Sequence, residues 1–99
     1  MDQASVEQHA EDHAEAVIRG DMDAVIADFI PEMRAGVPEL AKALPQPVNT
    51  AEVLSVEMAD DDGAIVHIRY SGDESSLTIR TRWEDREGRP LIVEGAPTG

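Results

Sequence analysis

Apolar residues follow two rhythms along this chain, and the rhythm changes near its midpoint. From Val6 to Leu44 they recur every three or four positions, the period of helices; from Leu54 to Ile92 they recur at every second position, the period of strands. Ser5, with Gln8 three residues on, reads as the N-cap of a first helix that runs to about Arg19, where Gly20 stops it. At roughly 100° per residue, Val6, Ala10, His13, Ala14 and Val17 share one arc. Glu7, Gln8, Glu11, Asp12, Glu15 and Arg19 lie opposite or beside it. Asp21 caps a second helix in which Met22, Val25, Ile26 and Phe29 line one face, and Pro31 ends or bends it. A third helix starts near Val37, with Pro38 in its first turn and Val37, Leu40, Ala41 and Leu44 at helical spacing. The segment "LPQPVNT" is a stiff connector, because a proline disfavours helix in the residue before it.

Beyond that connector the sequence reads as strands. "AEVLSVEM" alternates, with Leu54, Val56 and Met58 on one face, and "DDDG" marks a turn. "AIVHIRY" directs Ala64, Val66, Ile68 and Tyr70 to the inner face and Ile65, His67 and Arg69 to the outer. "SLTIRTRW" directs Leu77, Ile79, Thr81 and Trp83 inward and Thr78, Arg80 and Arg82 outward. "LIVEG" is a short last strand after the turn in "EDREGRP". Helices followed by an antiparallel meander predict an α+β fold: three N-terminal helices packed on one face of a four-stranded antiparallel sheet. With 99 residues and no repeat or low-complexity tract, a single domain over residues 1–99 is expected.

Composition narrows the function classes. Twenty-one acidic against eight basic residues give a net charge of −13, a field that opposes binding to nucleic acid and to anionic membranes. No apolar run approaches the roughly 20 residues that cross a bilayer, and "MDQASVEQ" lacks the basic start and apolar stretch of a signal peptide. A soluble cytoplasmic protein is therefore expected. The chain has no cysteine, so thiol chemistry and thiolate metal sites are excluded. Phe29, Tyr70 and Trp83 are its only aromatics apart from histidine, which leaves the core mostly to Val, Ile, Leu, Ala and Met.

Two stretches carry a resemblance to a known family. "AVIRGDMDAVIADF", a helix, a Gly-Asp break and a second helix, resembles the nuclear transport factor 2-like superfamily in its polyketide-cyclase-like (SnoaL-like) branch. "TRWEDREGRPLIVEG" is similar to that family's closing hairpin, with its Trp, acidic turn and Gly. The resemblance implies a curved sheet rolled as a cone, in the manner of a cystatin-like roll, around a long first helix. It also implies a cone mouth that can hold a small ligand and an outer sheet face that often dimerises. Family enzymes include steroid isomerases, dehydratases and epoxide hydrolases, some pairing buried Asp with Arg; no such set is identified in this sequence. The chain departs from the family in being short and in lacking a pair of strands between its second and third helices.

Candidate chemistry starts with "HAEDH". His9 and His13 stand one helical turn apart, a spacing that can chelate a metal ion, but "HAEDH" is not H-E-x-x-H and no third ligand is evident. No metal or cofactor is expected. His13 lies in the middle of the apolar arc, as a core histidine or as one lining a pocket and able to move a proton; His9 lies at the rim. Tyr70 and Trp83 alternate onto the face that meets the helices, each with one polar atom on an apolar body. His13, Tyr70 and Trp83 are the expected ligand-binding residues, for a small apolar ligand between the first helix and the sheet. Asp28 is expected in solvent on the polar side of the second helix, and "DDDG" reads as a solvated turn without the spacing of a calcium loop. Ser55, Glu57, Ile65, His67, Arg69, Thr78, Arg80 and Arg82 share the outer sheet face. That face is expected to form cross-strand pairs or a homodimer interface, which makes a non-catalytic interaction domain the alternative reading.

Overall fold

A computed structural model describes residues 2–59 and 63–98. The order is α1 (Gln3–Arg19), α2 (Met22–Ala27), a 3-10 turn (Pro31–Gly36) and α3 (Val37–Ala41), then β1 (Thr50–Met58), β2 (Gly63–Ser71), β3 (Ser76–Arg86) and β4 (Arg89–Thr98). The strands form one antiparallel sheet in the order β1-β2-β3-β4, open at both edges. The helices thus precede an antiparallel meander, the α+β arrangement that the two rhythms predict. No helix among the described residues is long and apolar enough to cross a membrane. The "DDDG" acids, residues 60–62, lie outside the described residues.

Local signals set most boundaries, with instructive shifts. Asp2, and not Ser5, caps α1: its carboxylate accepts the backbone N–H of Ser5 at 2.7 Å, so the helix starts earlier than the capping-box pattern suggests. Gly20 ends α1 in the left-handed conformation (φ 73°), and Asp21 caps α2 by accepting from the Ala24 N–H. α2 stops at Ala27, short of Pro31. Ile30, preceding the proline, is extended (ψ 151°), as the clash with the proline ring requires. The freed backbone pairs with β4: Ile92 N–H donates to Asp28 C=O at 2.7 Å and Ile30 N–H to Ile92 C=O at 3.0 Å. α3 is a single short turn of helix that ends before Leu44, ahead of the two prolines of the connector.

The sheet carries two bulges, in β1 between Val53 and Ser55 and in β4 opposite Arg82 and Trp83, and bulges bend and twist the strands that hold them. The β1 bulge overturns one expectation. Leu54 is the extra residue and is 44% exposed, while Val53 and Ala51, half-buried, take the inward positions beyond it. The inner face of β2 and β3 follows the alternation: Ala64, Val66, Ile68, Tyr70, Ile79, Thr81 and Trp83 are buried. α1 lies over β1 and reaches β2 and β4, setting Val6, Ala10, His13 and Ala14 against this face. Trp83, Ile68 and Ile92 are fully buried; each such side chain contributes about 1.5–3 kcal/mol by leaving water. The Trp83 indole N–H donates to Thr81 Oγ1 (2.9 Å), whose hydroxyl donates to the Val66 carbonyl (3.0 Å), so its polar atom is satisfied inside the core.

The connector after α3 is docked by a glycine. A Cβ at Gly72, in the β2–β3 turn, would stand 2.8 Å from both Pro45 Cβ and the Pro47 carbonyl oxygen. Gly72→Ala is therefore expected to cost about 1–3 kcal/mol, the usual range for overpacking. Urea unfolding measures this directly, and an unchanged midpoint would show that the connector is not held there.

Candidate functional site

The early end of α2 creates the site. Asp28 caps the C-terminus of α2, where the chain turns to meet Ile92. Its Oδ2 accepts from His13 Nδ1 of α1 at 2.8 Å, and its Oδ1 accepts from the Arg89 guanidinium of β4 at 2.6 Å. The Asp28 side chain is only 16% exposed and that of His13 only 5%. This corrects the expectation of a solvated Asp28: the periodicity of a longer helix put it on a polar face, whereas at a helix end it turns inward. Burial pushes its carboxyl up, but the hydrogen bonds and charges of His13 and Arg89 outweigh this and hold it below the ordinary carboxylate value.

Around the histidine ring the walls are aromatic and aliphatic. Phe29 and Trp83 meet it edge-on at centroid distances of 5.8 and 5.9 Å. Beside it lies a cavity of about 40 Å³, lined by His13 and Val17 of α1, Phe29, the α3 side chains Val37, Leu40 and Ala41 with Leu44, and Tyr70, Ile79 and Thr81 of the sheet. His13 and Tyr70 thus share one cavity. Trp83 does not line it; Trp83 backs His13 from the core side. Burial, then the negative charge of Asp28, push the Tyr70 phenol above its ordinary range, so it is held as the protonated donor.

The chemistry follows from valence. A carboxylate only accepts, so the neutral His13 ring carries its proton on Nδ1 and leaves a lone pair on Nε2. Among the described residues Nε2 has no hydrogen-bond partner, and neither has the Tyr70 hydroxyl. No fully buried side-chain nitrogen or oxygen there lacks a partner either. Both atoms are therefore reachable, and both residues line the cavity. The space offers one oriented acceptor able to take a proton, and one donor, on an otherwise apolar wall.

The remaining candidates separate from this site. His9 Nδ1 donates to the Ser5 carbonyl at 2.8 Å, within its own helix, so the two histidines serve different partners. Among the described residues no group of three or more His, Asp or Glu side chains is placed to hold a metal ion. On the outer sheet face, Arg69 bonds Glu52 at 2.9 Å, Ser55 bonds His67 at 3.2 Å, and Arg82 and Arg86 bond Glu84. Asp28 and Arg89 are the functional residues that sequence reading missed. Pro31 signals that the helix cannot include Ile30, but not that α2 ends at Ala27 with Asp28 turned inward; Arg89 pairs with a residue 61 positions away, and no local pattern shows that. No protein-family model, curated protein or solved structure matches the chain.

A depressed carboxyl value means that ionised Asp28 stabilises the fold above the ordinary carboxylate range near 3.9, a contribution lost as pH falls through that value toward the lower native one. Asp28→Asn is expected to cost about 1–3 kcal/mol at neutral pH. The difference from wild type should shrink as pH drops below about 4. Urea unfolding across that window is the check; a difference independent of pH contradicts the assigned charge.

Proposed function

We propose that the chain is a small-molecule-binding domain whose ligand sits between α1 and the sheet, bonded by His13 and Tyr70. One observation carries this reading. His13 is nearly buried and lines an apolar cavity, its Nδ1 is committed to Asp28, and its other nitrogen has no partner among the described residues. A histidine serving packing alone would gain nothing from an open nitrogen, whereas pockets characteristically set a few polar atoms on an apolar lining. Trp83 serves the site from behind, through its edge contact with His13. Kinship with the nuclear transport factor 2-like folds is proposed on the same grounds as in the sequence, supported by a long first helix laid over an open, bulged sheet.

A homodimer through the outer face is proposed separately. Arg80 stands exposed on that face, opposite His67 and Ala96, with no partner among the described residues.

One native mass spectrum of gently purified protein tests both. The wild type is expected to carry a small-molecule adduct that a folded His13→Gln variant lacks. Equal loading of the two proteins, or none in either, overturns the pocket reading, and a monomer overturns the homodimer.

A further inference from the structure

Phe29, Val37 and Leu40 form a thin partition. On one side is the cavity beside His13; on the other is a surface groove of about 310 Å³ that also borders Glu32, Gly36 and Gly95. The cavity alone has room for little more than a few water molecules, since one occupies roughly 10–15 Å³ on this measure. The groove brings the total to the lower end of ligand pockets, which start at roughly 300 Å³.

The α3 side of the partition, Val37 and Leu40, is held by apolar packing without polar anchors among the described residues. Among the described residues no hydrogen bond or ion pair joins residues 35–48 to α1, α2 or the sheet. α3 has five residues, too few to persist without its neighbours. Its C-terminal side packs where Pro45 and Pro47 meet Gly72, which leaves α3 as the part of the segment without such a close contact to the sheet.

Gly95 faces this partition from β4. A Cβ built there would lie 3.5 Å from Leu40 Cδ2 and 3.9 Å from both Phe29 Cε2 and Thr81 Cγ2. Gly95 lines the groove, and the three residues its Cβ would touch, Leu40, Phe29 and Thr81, all line the cavity. A side chain at position 95 would therefore occupy the groove where it abuts the cavity wall.

Charge limits the occupant. No Lys or Arg lines either space, Glu32 borders the groove, and the chain carries a net −13; an anion has nothing to receive it. A cation would have to leave water for a cavity that no carboxylate lines: Asp28, beside His13, is already paired with His13 and Arg89, and Glu32, at the groove, is exposed to solvent.

Resting on the pocket reading above, we infer that cavity and groove are one ligand site, joined when Leu40 moves aside and kept open by Gly95. The site takes an uncharged molecule with one hydroxyl, donating to His13 Nε2 and accepting from the Tyr70 O–H, and an apolar body lying along Gly95.

Titration of the full chain with α-tetralol, an uncharged bicyclic alcohol, and with 2-naphthoate, an anion of similar size, tests this. The single Trp83 indole N–H resonance, behind His13, is the reporter. α-Tetralol is expected to bind the wild type saturably, and 2-naphthoate about tenfold more weakly or worse, the scale of discrimination available to a small pocket. Leu40→Ala should tighten α-tetralol binding about fivefold or more by removing the partition, on the same scale. Gly95→Val should weaken it about tenfold. Gly95→Ala, whose Cβ fits without a clash, should weaken it to a smaller extent and provides the test if Gly95→Val fails to fold. Equal affinity for the two probes, or α-tetralol binding unmoved by every position-95 variant, overturns the joined site while leaving a pocket at His13. Absence of α-tetralol binding in both the wild type and Leu40→Ala overturns the pocket reading as well.

Discussion

One carboxylate, Asp28, holds the architecture to its chemistry. A charge that is mostly removed from water must be paired, and both of its oxygens must find donors. Asp28 meets this with a histidine from α1, fifteen positions earlier, and an arginine from β4, sixty-one positions later. The three segments it ties are the long helix, the end of the short one, and the edge strand. Because the carboxylate accepts on both sides, the orientation of the His13 ring is fixed, and so is the nitrogen it presents to the cavity.

The scarcity of aromatics shapes the rest. Phe29 and Trp83 wall the His13 ring and Tyr70 lines the cavity, so no large side chain remains to fill the space under α3. That space is closed by Val37, Leu40, Ala41 and Leu44, aliphatic groups on a segment without polar ties to the sheet among the described residues. A closure made only of apolar contact is non-directional, whereas the Asp28 junction is directional and charged. The fold thus combines an oriented polar centre with an apolar wall.

Much of this was legible in the sequence. Helices and strands followed from the two apolar periods, Gly20 and Asp21 marked the first break, and the inward placement of His13, Tyr70 and Trp83 followed from counting faces. What escaped was non-local. Leu54 left the inner face because a bulge shifted the pairing register of β1, and bulges depend on the partner strand. Asp28 was misplaced because a helical period was extended past Ala27, where α2 ends three residues before the extended Ile30. The division of His13, Tyr70 and Trp83 into two cavity-lining residues and one supporting residue depends on depth within the core, which alternation does not encode.

The tautomer of His13 tests the central claim most directly. Long-range nitrogen–proton correlation spectra of the ring assign the proton of its neutral form to one nitrogen or the other. The Asp28 junction predicts the proton on Nδ1, bonded to the carboxylate, with Nε2 bare toward the cavity. A neutral ring protonated on Nε2 would contradict it, because Nδ1 could then give Asp28 no hydrogen bond and the oriented acceptor would not exist.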